Sequence, residues 1–115
     1  MTTIARIEEY GDELRAIRHD LHAHPEIGFE EQRTSSIVAR LLKEYGVDEV
    51  HTGIAVTGVV GLIHGHLGQG KRIGLRADMD ALPMEEESGL SFSSQTPGRF
   101  HGCGHDGHTT MLLGT

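Results

Sequence analysis

One cysteine in 115 residues excludes an internal disulfide framework and fits a reducing compartment. Aromatic residues make up only 4% and tryptophan is absent, so the core must rest on Leu, Ile, Val and Ala. Long apolar runs are missing too. The longest, around Val59 to Ile63, falls far short of the roughly 20 residues that cross a bilayer. The opening stretch, MTTIARIEEYGDELRAIRHD, is charged throughout and has no apolar h-region, so it does not read as a secretory signal. Positive charge is in deficit: 10 Lys and Arg stand against 17 Asp and Glu, a net −7 with neutral histidines. That balance argues against nucleic acid or an anionic membrane as partner. A soluble, cytoplasmic chain is expected.

What is present fits one domain. No repeats, linkers or low-complexity tracts occur. Apolar residues at Ile4, Ile7, Leu14, Ile17 and Leu21 keep a helical period, with Thr2 or Thr3 as cap and Pro25 as stop, which predicts a helix over Ile4 to His22. A second helix is expected from Phe29 to Tyr45, with Ile37, Val38, Leu41 and Leu42 inward and Gly46 ending it. Val47 to His51 reads as a short extended piece. Thr57 to His64, the turn Gly68-Gln69-Gly70-Lys71, and Arg72 to Arg76 read as strand, turn, strand. Residues 84 to 100 read as an irregular loop, and helical spacing resumes from Asp106 to Leu113. Two helices, then strands, then a helix predict an α/β layer fold whose sheet is incomplete within this chain.

Nine histidines are the abnormal count, and three of them crowd into His101-Gly102-Cys103-Gly104-His105-Asp106-Gly107-His108 with the sole cysteine. A thiolate and imidazoles in one short loop form a borderline-soft ligand set suited to zinc, manganese, cobalt or nickel. The glycines give the backbone freedom to turn side chains onto one point. In extended geometry Cys103 and His105 share a side. Asp106 can act as an oxygen ligand or as an acceptor that holds an imidazole N–H. The alternative is that Cys103 is a small core residue and the histidines are loop surface. The local set is incomplete and requires ligands from elsewhere.

Asp78 and Asp80 follow a predicted strand at i and i+2, so both carboxylates are expected to point into the space beyond its carboxyl end, where α/β sheets build sites. There an Asp can bind metal, orient a histidine or hold a base in place. The plainer reading is a solvated loop pair stabilised by Arg76. For His19, His22 and His24 the structural reading is preferred, because histidines near a helix end stabilise its dipole without metal.

Three runs in order, His22-Ala23-His24-Pro25-Glu26-Ile27-Gly28-Phe29-Glu30-Glu31, Arg76-Ala77-Asp78-Met79-Asp80-Ala81-Leu82-Pro83 and Cys103-Gly104-His105-Asp106-Gly107-His108-Thr109, resemble the amidohydrolase branch of the aminoacylase and carboxypeptidase metallohydrolases. That branch includes hippurate hydrolase, indole-acetyl-amino-acid hydrolase and N-acetyldiaminopimelate deacetylase. The resemblance implies the N-terminal portion, residues 1–115, of a mixed-sheet, helix-flanked catalytic domain, without the lid and dimerisation domain. It implies metal-dependent hydrolysis of the amide bond of N-acyl amino acids, with two divalent ions in the complete site. Cys103 and His105 are implied as metal ligands and Asp80 as the catalytic aspartate. Asp78, Asp106 and His108 are weaker members of the site. Asp78 stands where the wider family has a metal-binding histidine, a role Cys103 takes over. The general base and remaining ligands are implied to lie downstream, so this chain alone is expected to be inactive. The complete protein is implied to be a homodimer or homotetramer. A non-catalytic metal-binding or interaction module that keeps a half-site is the alternative.

Overall fold

The computed structural model describes residues 4–115. The expected caps at Thr2 and Thr3 lie outside the described residues. The elements are α1 (Ala5–Glu9), α2 (Gly11–Ala23), α3 (Gln32–Glu44), β1 (Glu49–Ile54), β2 (Gly58–Leu62) and α4 (His105–Leu113).

The first expected helix is broken at Tyr10, so α1 and α2 are separate. A glycine inside a helix costs roughly 1 kcal/mol relative to alanine, and Gly11 sits at the junction. Packing does not offset that cost, because α1 buries no residue and both Ile4 and Ile7 are exposed. The stop ahead of Pro25 is as expected: α2 ends at Ala23. Gly46, with φ +81°, follows the C-cap of α3 in the left-handed region that favours glycine.

The core is small. Val38 and Leu41 of α3 meet Leu113 of α4, with Ile17, Ile37, Leu42, Val59 and Met79 packed around them. Antiparallel β1 and β2 form a two-stranded sheet against α3. Gly61 permits the close fit, since a Cβ there would lie 3.1 Å from Val47 and 3.4 Å from Leu42.

Two strand expectations are corrected. The hairpin turn falls between Ile54 and Gly58, with Ala55 and Val56 both at positive φ, and Gly68 to Lys71 is not its turn. Turns of that hand normally carry Asn or Gly, and this sequence gives no such signal. Thr57 Oγ1 donates a 2.6 Å hydrogen bond to Glu31 Oε2, which pins the turn to the start of α3. Arg72 to Arg76 forms no strand among the described residues. A strand needs a neighbouring edge for its N–H and C=O groups, and no described segment pairs with this one. Its side chains Ile73 and Leu75 are 87% and 64% exposed.

The second motif is tied to the first by backbone. Ala81 N–H donates to Glu26 C=O at 2.8 Å, and Ile27 and Ala81 form a parallel bridge. Leu82 and Phe100 exchange hydrogen bonds across an antiparallel bridge. Residues 78–82 are thus held between the turn after α2 and the segment that leads into α4. No described helix is long and apolar enough to cross a membrane.

Candidate metal centre

Gly104 precedes α4 with φ +83°, a left-handed conformation in which any other residue would be strained. The sharp bend makes His105 the first residue of the helix and puts His108 on the same face, one turn on. It also removes the extended geometry on which the same-side argument for Cys103 and His105 depended. Cys103 is exposed and belongs to the turn before the helix.

Asp78 is the meeting point. His108 Nδ1 lies 2.8 Å from Asp78 Oδ1, and His105 Nε2 lies 3.4 Å from Asp78 Oδ2. One ligand atom from each of Asp78, His105 and His108 lies within 4.8 Å of the others. Asp78 is fixed from behind, where Thr109 Oγ1 donates to its backbone carbonyl at 2.8 Å. The hydrogen bond from His108 is the main cause holding the Asp78 carboxyl below its ordinary value, and it outweighs the opposing effect of desolvation. Arg76 adds little: it is largely exposed and its guanidinium sits 3.5 Å away.

Asp80 grips the opposite side of His105. His105 Nδ1 is 2.8 Å from the Asp80 carbonyl and 3.0 Å from Asp80 Oδ1. Both partners accept, so Nδ1 carries a proton, and in the neutral ring Nε2 presents its lone pair. That lone pair faces the carboxylate of Asp78, another acceptor. Two acceptors set against each other attract a cation between them, and a histidine whose far nitrogen is held by a carboxylate is oriented as metal-binding histidines are. No strand precedes the two aspartates among the described residues, and instead of pointing the same way they meet the two nitrogens of one ring from opposite sides.

The remaining site residues divide differently from the sequence reading. His108 joins the group with Asp78 and His105, whereas Cys103 is not among the three. Asp106 is buried, but it accepts from His22 Nδ1 at 2.8 Å and from Arg18 Nε at 3.2 Å. On its other side His22 Nε2 lies 3.1 Å from both oxygens of Glu86. Burial raises the Glu86 carboxyl most strongly, yet hydrogen bonds from Ser88, the Ser94 N–H and His22 together bring it below its ordinary value. Arg18 and Glu86 were not singled out from the sequence, since a buried partner 64 residues away leaves no local pattern. The structural reading of the early histidines is supported by this packing. His22 is buried, His19 stacks on Phe92 at 3.7 Å, and His24 Nδ1 donates to the Asp20 carbonyl. His101, also buried, is pushed below its ordinary value chiefly by desolvation.

Residues 74–115 match the family model described as Peptidase family M20/M25/M40. The chain is 48% identical over 113 residues to hippurate hydrolase of Campylobacter jejuni, covering 98% of this chain and 29% of that protein. It is 43% identical over 111 residues to an N-acyl-L-amino acid amidohydrolase of Geobacillus stearothermophilus, covering 95% and 29%. The crystal structure of the Bacillus subtilis YXEP protein, described as a dinuclear metal binding peptidase from the M20 family, superposes with a TM-score of 0.85 at 38% identity. That match covers 92% of this chain and 29% of that one. The resemblance read from the three motifs is confirmed, and so is the α/β fold expected from it. The chain spans less than a third of the length of these relatives.

Proposed function

We propose that this chain is the N-terminal portion of the catalytic domain of a metal-dependent amidohydrolase that cleaves the acyl group from N-acyl amino acids. The observation that carries the proposal is His105, held at Nδ1 by Asp80 and facing Asp78 with Nε2. Its donor set fits a divalent cation, and its relatives include amide hydrolases.

In this reading His105 and Cys103 are metal ligands, with Asp78 and His108 adjoining. The bend at Gly104 leaves the Cys103 thiol exposed, where a cation can reach it. When bound, two divalent ions supply Lewis acidity for amide hydrolysis and make bound water more acidic. Asp80 keeps the proton on His105 Nδ1, fixing the tautomer that offers Nε2 as a donor. Asp78 contributes negative charge that stays ionised at neutral pH. The general base and further ligands come from parts of the protein beyond this chain, so residues 1–115 alone bind metal incompletely and do not turn over substrate.

The test uses the full-length protein. Wild type should hydrolyse N-benzoyl or N-acetyl amino acids in a chelator-sensitive manner, and Cys103→Ser should lose most metal and nearly all rate while keeping its circular dichroism. Full activity in the serine variant would refute the ligand assignment. Chelator-resistant turnover would refute the metal.

A further inference from the structure

Resting on that reading, we propose that His22 is a positioning residue, an imidazolium clamped between Asp106 and Glu86 that sets the head of α4 on which His105 stands. The donors and acceptors around its ring decide its charge. On one side, Asp106 Oδ2 takes the Arg18 Nε–H at 3.2 Å and faces His22 Nδ1 at 2.8 Å. Arginine only donates, so that oxygen is an acceptor and His22 Nδ1 carries a proton. On the other side, both oxygens of Glu86 lie 3.1 Å from His22 Nε2, and both have further donors. Ser94 N–H donates to Oε1 at 2.8 Å. The Ser88 hydroxyl accepts from Leu90 N–H and gives its own proton to Oε2. A carboxyl engaged in this way is ionised, so His22 Nε2 donates as well. A neutral imidazole has one N–H, and a ring that donates from both nitrogens is protonated. The other histidine ring nearby, His101, lies 6.3 Å away between centroids and has no hydrogen-bond partner among the described residues, so it supplies neither proton.

Burial makes that charge matter. The side chains of His22, Glu86 and Asp106 are 5%, 2% and 1% exposed, enclosed by the described residues themselves. The rings of Phe92 and Phe100 stand edge-on to His22 at 5.3 and 5.7 Å. An uncompensated charge in such a place is costly. Arg18 and His22 balance Asp106 and Glu86, cation for anion. The network also joins three parts of the fold. Arg18 and His22 belong to α2, Glu86 to the loop after the Asp80 segment, and Asp106 to the first turn of α4. Gly104 gives α4 no side-chain cap, and Asp106 fastens the helix head to α2. Asp106 follows His105 directly, so a shift of one carries the other. Asp80 sets the rotation of the His105 ring, and His22, through Asp106, sets where its backbone stands.

Neutron diffraction from crystals of the full-length wild type reads the charge without any variant: deuterium should appear on both Nδ1 and Nε2 of His22, and a single deuterium overturns it. Calorimetric Zn²⁺ titration and steady-state kinetics of the full-length protein read the positioning. His22→Gln cannot donate to both carboxylates. It should weaken Zn²⁺ binding about tenfold and lower kcat several-fold at saturating metal, with KM within about twofold. Adding Glu86→Gln removes the surplus negative charge, and the double variant should recover most of the lost affinity. Asp106→Asn, a milder cut at the same link, should weaken Zn²⁺ binding several-fold. Wild-type Zn²⁺ affinity in His22→Gln or in Asp106→Asn, or a double variant weaker than His22→Gln alone, would overturn the positioning role. If wild type hydrolyses no N-acyl amino acid, the proposed function falls, while the deuterium positions and the Zn²⁺ titrations still decide on His22.

Discussion

At the scale of single residues, the site is a set of groups that settle one another's protonation and orientation. Asp80 fixes the tautomer of His105, and His108 keeps Asp78 ionised. Asp80→Asn in the full-length protein should retain metal but lose rate, because an amide holds the ring less firmly than a carboxylate. Steady-state kinetics with metal analysis checks this, and an unchanged rate would make Asp80 structural. Behind the site, Asp106 is almost wholly buried and takes hydrogen bonds from both His22 and Arg18. Asp106→Ala leaves these donors without their acceptor and should cost about 3 kcal/mol or more in urea unfolding. His101 gives a pH signature. Its folded-state pKa lies below the ordinary 6.5, so as pH falls through that value the unfolded chain takes up a proton that the folded chain refuses. Stability should therefore drop as pH falls below about 6.5. A His101→Gln variant should show a flatter Tm profile over the same window.

At the scale of elements, the start of α3 is capped from a distance. Its N-cap residue, Glu31, makes no side-chain cap. Glu26 does so instead, accepting from Arg33 N–H at 3.0 Å and Thr34 N–H at 2.7 Å, with Thr34 Oγ1 also at 2.7 Å. Its charge also sits at the favourable end of the helix dipole. Glu26→Ala should destabilise by about 1–2 kcal/mol and speed amide exchange at Arg33 and Thr34, with Glu26→Gln milder. Such a cap shows why some elements were readable from sequence and others were not. The helices declare themselves through local periodicity, and α3 and α4 fall within a few residues of their expected bounds. The hairpin does not, because Ala55 and Val56 adopt a left-handed turn without Asn or Gly. Arg72 to Arg76 has a strand-like composition, but pairing depends on an edge no local residue can announce. Of the metal cluster, the sequence singles out His105 paired with Cys103 and gives Asp78 and His108 only as weaker members, whereas the structure groups His105 with Asp78 and His108. The share taken by His108 follows from Gly104 starting the helix one residue earlier than expected.

At the scale of the whole molecule, the three motifs are distant in sequence and brought together by backbone. The turn after α2 holds residues 78–82, which hold the ring of His105 at the head of α4. The chain thereby presents one face of a site while spanning under a third of its relatives' length. Residues 1–115 expressed alone should bind Zn²⁺ much more weakly than the full-length protein and show no turnover of N-benzoylglycine, as checked by calorimetry and product assay. The most direct measurement of the central claim is anomalous diffraction from crystals of the full-length protein grown with Zn²⁺ or Mn²⁺. An ion is expected about 2.0–2.2 Å from His105 Nε2, with the Cys103 sulfur at about 2.3 Å where that ion is zinc. Saturating metal with no anomalous peak at His105 Nε2 would contradict it.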